Sequence, residues 1–167
     1  MPSLKQGFTL IELLVVIAVI GILAAVVLAS LNTARGKARD AKRISDLKQI
    51  QTALELYHTD NGVYPSTGMS LGATVGDNYQ GTCSGHGSYP TSGPTGYVPS
   101  LAPTYMAQLP VDPKPSANAC YLYASNGVDY LVMAYLSPES SIPEAFKRPK
   151  TPTQNTLYFS TAGARMW

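Results

Sequence analysis

The sequence has little cysteine, and it lacks the motifs of the common metal- and nucleotide-dependent enzymes. Only two of its 167 residues are cysteine. Neither belongs to a C-x-x-C pair or a cysteine–histidine cluster, which excludes the usual structural zinc sites. No Walker A loop, dinucleotide fingerprint, H-E-x-x-H or nucleophile elbow occurs either. His58 and His86 lie far apart, which favours surface positions over ligand roles. A helix-tethered extracytoplasmic enzyme would need a nucleophile and a base, and no such constellation is visible.

Charge is also scarce, and the charged residues are unevenly placed. Net charge is only +2, which gives no global reason to expect nucleic-acid binding. Six of the twelve Lys and Arg residues nevertheless lie between Arg35 and Lys48. A solvated helix face, with some pairing to Asp40 and Asp46, is the simplest interpretation. Contact with anionic headgroups or with acidic surfaces of neighbouring subunits is an alternative, and DNA binding is a third. Residues 66–100 contain no Lys or Arg, which weakens DNA binding through that segment.

Near the N-terminus, a long run of residues carries no charge. It extends from Leu13 to Ala34, which is 22 residues. As a helix it would be about 33 Å long, enough to cross a bilayer core. An ordinary signal peptide, cut after Ala25 or Ser30, is the competing interpretation. Glu12 lies at the edge of this run, and a carboxylate there is costly unless it has a function or reaches the headgroups.

The segment Gly7-Phe8-Thr9-Leu10-Ile11-Glu12, followed by the apolar run, resembles the N-terminus of type IV prepilins and type II secretion pseudopilins. The resemblance implies a leader of residues 1–7, cleavage by prepilin peptidase between Gly7 and Phe8, and N-methylation of Phe8. It also implies that Glu12 pairs with the new α-amino group of the same or a neighbouring subunit. Such a charged hydrogen bond is strong in a low dielectric.

The helix is predicted to continue beyond the membrane. We expect residues 8–31 to form the transmembrane and assembly helix, and residues 32–61 an amphipathic helix that ends near Asp60-Asn61-Gly62. The apolar face of this second half recurs at spacings of three and four residues and contains Ala34, Ala38, Ala41, Ile44, Leu47, Ile50, Leu54 and Tyr57.

Residues 62–100 hold nine of the 14 glycines and predict a long surface connection outside the core. Residues 101–167 predict a sheet region. Asn126-Gly127 between two β-prone runs, Tyr121–Ser125 and 128–136, is a strong hairpin signal, and 157–160 is a candidate third strand. The expected fold is therefore α+β, with one long N-terminal helix packed on a small antiparallel sheet. The phrases N-G-V-Y-P, after the helix, and L-P-V-D-P, at 109–113, are similar to the same family.

Cys83 and Cys120 are the candidates for a disulfide if the domain is exported, and two buried thiols are the alternative. No cofactor is expected. Asp112, Asp129 and Glu139 are weak calcium candidates, because major pseudopilins often bind calcium and these carboxylates could supply oxygens.

The expected function is a structural, non-enzymatic subunit of a type IV pilus-like filament. A major pseudopilin of a type II secretion system, and a minor pilin for adhesion or DNA uptake, are the alternatives. The resemblance implies as partners prepilin peptidase, identical or related subunits, an inner-membrane assembly platform and, before assembly, membrane lipid; nucleic acid is not expected. The precursor would be a single-pass inner-membrane protein, and the filament periplasmic or extracellular.

Overall fold

The computed structural model describes residues 9–68, 79–147 and 155–166. The chain divides into two compact units, which meet in sequence at Gly36 and Lys37. One helix, α1, runs without interruption from Leu10 to Asn61 over 52 residues, close to the predicted bounds. It ends where Gly62 adopts a φ of 73° and its N–H donates to the His58 carbonyl at 2.8 Å. Glycine adopts this left-handed conformation without the steric cost of a Cβ, so the predicted stop signal is confirmed.

The second unit contains a four-stranded antiparallel sheet in the order β1-β2-β3-β4. Its strands are β1 (Gln80–Gly81), β2 (Cys120–Ser125), β3 (Tyr130–Tyr135) and β4 (Leu157–Ser160). Three short 3₁₀ turns accompany them, at Ser84–His86, Glu144–Phe146 and Gly163–Met166. The α+β prediction is confirmed.

The predicted hairpin is present as β2 and β3, joined by residues 126–129. The Asn126 side-chain oxygen accepts the backbone N–H groups of Val128 and Asp129, and Gly127 has a φ of 92°. Asn and Gly are therefore used for an Asx-type turn of four residues, rather than for the shortest two-residue hairpin. The candidate strand at 157–160 is confirmed as β4.

Alternation along the strands gives each face of the sheet its own apolar cluster. Tyr130, Val132 and Ala134 on one face pack with Leu47 and Leu54 of α1. On the other face, the cluster is built from Leu122, Ala124, Leu131 and Met133 together with Tyr79, Cys83 and Ala164. Burying both faces explains why β2 and β3 are almost continuously apolar.

Two expectations about packing are wrong. Ala34, Ala38 and Ala41 are exposed rather than packed on the domain. Each residue advances a helix by about 100°, so each repeated step of three residues moves the position back by about 60°, and a run of such steps leaves the face. Residues 62–100 also do not stay outside the core, because they supply β1 and the fully buried Tyr97 and Val98.

Candidate functional site

The N-terminal part of α1 presents an uncovered apolar surface. Its large apolar side chains between Leu10 and Leu28 are 49–88% exposed, and together they form a helix long and apolar enough to cross a membrane. Water-exposed apolar surface of this extent marks a lipid- or protein-facing segment. This surface can bury its side chains in a bilayer or against other helices.

At the start of this helix, Thr9 and Glu12 form a reciprocal cap. The Thr9 N–H and hydroxyl donate to Glu12 Oε2 at 2.8 and 2.7 Å, and the Glu12 N–H donates to Thr9 Oγ1 at 3.3 Å. This is a capping box, which satisfies donors that a helix end leaves open. Gly7 and Phe8 lie outside the described residues, so pairing of Glu12 with the Phe8 amine stays a prediction. The sequence pattern T-x-x-E could have shown this second use of Glu12.

In the second unit, Arg43 is fully buried on the inner side of α1 and binds two carboxylates. Its Nε and Nη2 donate to the two oxygens of Asp112 at 2.8 and 2.9 Å, and its Nη1 donates to Asp40 at 2.6 Å. Asp112 is 3% exposed and also accepts the Lys114 N–H at 2.8 Å. The planar guanidinium fits this bidentate contact better than a lysine ammonium would. Arg43 thereby fixes the L-P-V-D-P segment to the helix.

Asp40 fixes a second segment to the same turn of α1. It accepts the N–H groups of Glu139 and Ser140 at 3.0 and 2.7 Å, and also the Ser140 hydroxyl. Burial disfavours its charge, but these donors and Arg43 outweigh burial and hold the pKa of Asp40 below its ordinary value. These hydrogen bonds to the buried Asp40 carboxylate hold the loop at 137–140 against α1.

Further ion pairs extend the group of charges around Arg43 and Asp40 toward solvent. Arg39 binds Glu139 through two bonds of 2.5 and 2.6 Å, and Lys114 lies 3.5 Å from the same carboxylate. The hydrogen bond from Arg39 lowers the pKa of Glu139 to about 2. On the next turn, Asp46 binds Lys42.

Asp46 also connects the charged cluster to the sheet, because it accepts the Tyr121 hydroxyl at 2.9 Å. Burial, followed by this bond, raises the pKa of Tyr121. The charged cluster thus contains Arg39, Asp40, Lys42, Arg43, Asp46, Asp112, Lys114 and Glu139. Four cations balance four anions, so a tightly packed group of charges carries no net charge.

The pairing of Asp40 and Asp46 with helix cations was predicted and is confirmed. Arg35, Lys37 and Lys48 are exposed, as a solvated face requires. Burial of Arg43 was missed, although Asp40 and Arg43 three residues apart are a visible helix pair. Its long-range partner, Asp112, could not be identified from spacing.

The remaining predicted residues have different surroundings. Cys83 and Cys120 are joined in a disulfide, as predicted, which attaches the segment around β1 to the second face of the sheet. Asp112 could bind calcium only by giving up Arg43. Asp129 lies in the hairpin turn, and no group of three potential metal ligands occurs within 9–68, 79–147 and 155–166.

The two histidines are half-buried rather than fully exposed. His58 stacks on Tyr64 with ring centroids 4.5 Å apart, and burial lowers the pKa of His86. Each is therefore a packing residue in this structure.

Comparisons with known proteins support the N-terminal and domain assignments separately. A family model described as the prokaryotic N-terminal methylation motif matches residues 2–28. A second model, described as type II secretion system protein G, matches residues 30–135. No solved structure gives a significant match.

Individual relatives are similar over a little less than half of the chain. The chain is 40% identical over 75 residues to type II secretion system core protein G of Dickeya chrysanthemi, covering 45% of this chain and 49% of that protein. It is 42% identical over 71 residues to the protein of the same name from Vibrio cholerae and 41% identical over 71 residues to that of Escherichia coli; each match covers 42% of this chain and 49% of the relative. The chain spans about half the length of the curated relatives it matches.

Proposed function

The chain belongs to the protein G family of type II secretion systems, the pseudopilins, and from this membership we propose that it is processed by prepilin peptidase and assembles into a pseudopilus. The family match extends over residues 30–135, which include the second half of α1, β1 and the β2–β3 hairpin. That match carries the proposal. It favours the pseudopilin, which the sequence left as an alternative, over a surface type IV pilus subunit.

A structural role follows from this membership, and the chain is a subunit rather than an enzyme. The N-terminal methylation motif supports cleavage between Gly7 and Phe8 and methylation of Phe8. The exposed apolar surface of α1 supports anchoring of the precursor in the inner membrane and burial against other subunits after assembly. The partners in this proposal are prepilin peptidase, related subunits and an inner-membrane assembly platform.

The proposal gives Glu12 two successive roles. In the precursor its carboxylate caps α1 through Thr9. After cleavage it would accept a hydrogen bond from the methylated amine of Phe8, whose positive charge methylation preserves. The capping and charge-pairing roles can be separated, since glutamine can also accept the Thr9 N–H in a capping box but carries no charge.

Mass spectrometry of two cell fractions tests processing and location. Processed protein that begins at N-methylated Phe8 and stays with washed membranes is the expected result for a pseudopilin. The same species in sheared extracellular material would point to a surface pilus instead. A chain that still begins at Met1, or that is cut after Ala25 or Ser30, would overturn the proposal.

Glu12→Ala and Glu12→Gln then test the assembly step. Both variants should be cleaved normally and should be absent from cross-linked multimers, because neither carries the charge that pairs with the amine. Normal assembly of Glu12→Gln together with failure of Glu12→Ala would show that a neutral hydrogen-bond acceptor at this position suffices and that its charge is not required. Normal assembly of both variants would exclude Glu12 from the contact.

A further inference from the structure

The outer edge of β4 is partly open. β3 and β4 pair with Leu131 opposite Ser160 and Ala134 opposite Leu157, and the Thr161 N–H donates to the Tyr130 carbonyl directly opposite it. In an antiparallel ladder, hydrogen-bonded and non-hydrogen-bonded pairs alternate. The backbone groups of Tyr158 and Ser160 therefore point away from β3, toward the outer edge.

Part of this edge is covered by the preceding segment of the chain. Lys147 forms an antiparallel bridge with Leu157 on the side opposite β3. Residues 144–146 would continue that pairing alongside 158–160, but they form the 3₁₀ turn Glu144–Phe146 instead. The segment that contains Lys147 therefore diverges from β4 after one bridge. Within the described residues, no strand pairs with Ser160 on its outer side.

A cavity of about 250 Å³ lies in this divergence. It is lined by Gln51, Ala145, Phe146, Tyr158, Phe159 and Ser160. The rings of Phe146 and Phe159 lie with centroids 5.3 Å apart. The lining thus combines the aromatic rings of Phe146 and Phe159 with uncharged polar residues, and it contains no charged residue.

Ser160 lies at the edge of the cavity and also carries an unsatisfied polar atom, which faces the other side of the sheet with Leu131. Its Oγ is buried and has no hydrogen-bond partner among the described residues. A buried hydroxyl without a partner carries a desolvation cost, and native proteins rarely leave one without a reason. The same residue presents backbone groups to the open edge, so the unsatisfied groups are concentrated at one position.

We propose that this cavity and the open end of β4 bind an extended, uncharged polypeptide segment from another protein, which adds a short strand beside Ser160. Another extended backbone is the ligand whose donors and acceptors match the spacing of a strand edge. An apolar side chain of the segment would enter the cavity against Phe146 and Phe159. The uncharged lining disfavours a charged side chain, because the cavity could not compensate its desolvation. The cavity lies on the sheet rather than on the apolar part of α1, so this proposal does not rest on the assembly role of that helix.

The test uses the full chain in detergent micelles and a synthetic peptide, acetylated and amidated, of sequence T-V-F-V-T. Amide resonances followed by two-dimensional NMR should shift saturably at Ser160 and Phe146. The same peptide methylated on every backbone nitrogen should lose at least about tenfold in affinity, because it cannot donate to the strand edge. No saturable shift at Ser160, or equal binding of the methylated peptide, would overturn the proposal.

Two variants with the same introduced charge locate the site. Ala145→Glu puts a carboxylate at the exposed rim of the cavity and should weaken binding by about tenfold or more. Val128→Glu puts the same group in the hairpin turn, where Val128 is 73% exposed, and should leave binding unchanged. Equal weakening by both variants would overturn the assignment. If methyl glucoside shifts these resonances and the peptide does not, the ligand is a sugar and the peptide proposal is wrong. If Ala145→Glu fails to fold, the comparison of the two peptides on the unmodified chain still decides.

Discussion

Replacing Arg43 by methionine should destabilise the domain more than any neighbouring charge substitution on α1. The Arg43 side chain is completely buried and donates three bonds of 2.6–2.9 Å to Asp112 and Asp40. Methionine fills a similar volume but provides no donor. Both carboxylates would stay buried with their charges uncompensated, which is the costly way to break a buried ion pair.

The magnitude follows from what each carboxylate retains. Asp112 would keep only the Lys114 N–H, whereas Asp40 would keep Ser140 and the Glu139 N–H. Breaking one side of a buried pair typically costs about 3–5 kcal/mol. Because Asp40 stays largely satisfied, we expect the lower end, about 3 kcal/mol. For a chain of this size that corresponds to a fall in Tm of about 10 °C.

The assay is thermal unfolding of the full chain in mild detergent, followed by near-ultraviolet circular dichroism of the buried tyrosines. That signal reports the domain, whereas far-ultraviolet dichroism would be dominated by the apolar helix. Lys42→Met is the matched control, because Lys42 is 56% exposed and its pair with Asp46 should contribute less than about 1 kcal/mol. The double variant Arg43→Met/Asp112→Leu should recover part of the loss. Melting of Arg43→Met within about 2 °C of Lys42→Met would refute the reasoning.

Three further outcomes are expected. Cys83→Ser with Cys120→Ser should lower the free energy of unfolding by about 3–4 kcal/mol, measured by denaturant titration; an unchanged midpoint would contradict a stabilising bridge. As the pH falls from about 5 toward 2, stability should fall, because the pKa values of Asp40 and Glu139 are lowered on folding and protonation breaks their bonds. A stability that rises between pH 5 and 2 would contradict this sign. At high pH, burial followed by the bond to a glutamate raises the pKa of Tyr64 to about 12. Folding therefore protects this phenol above pH 10, and the part of the tyrosinate absorbance that is lost in Tyr64→Phe should appear together with unfolding; its appearance near pH 10 in the folded chain would contradict the shift.

Local signals predicted the main elements correctly. The charge-free run and the helical spacing after it indicated α1, and Asn61-Gly62 indicated its end. Asn126-Gly127 between two apolar runs indicated the β2–β3 hairpin. Each of these features depends on residues within a few positions of one another, so composition and periodicity suffice to predict it.

Periodicity failed where the pattern was ambiguous. Ala34 and Ala41 continue the apolar spacing of Leu47 and Leu54, yet they are exposed. Alanine is compatible with a buried or an exposed helix position, and repeated spacings of three rotate away from the packed face. The glycine-rich composition of 62–100 likewise concealed Tyr97, which is buried because distant elements cover it.

The amino-acid sequence alone determined four features: the length and polarity of α1, the hairpin turn, the resemblance to prepilins and the candidate cysteine pair. Each of them depends on neighbouring residues or on a short motif. The sites depend on which distant residues meet. Arg43 and Asp112 are 69 positions apart. The open end of β4 exists because residues 144–146 turn into a 3₁₀ helix instead of extending alongside Ser160. Only the packing of distant segments on the sheet brought these groups together. Packing also buries them, and burial in a low dielectric strengthens an ion pair and makes an unpaired hydroxyl costly.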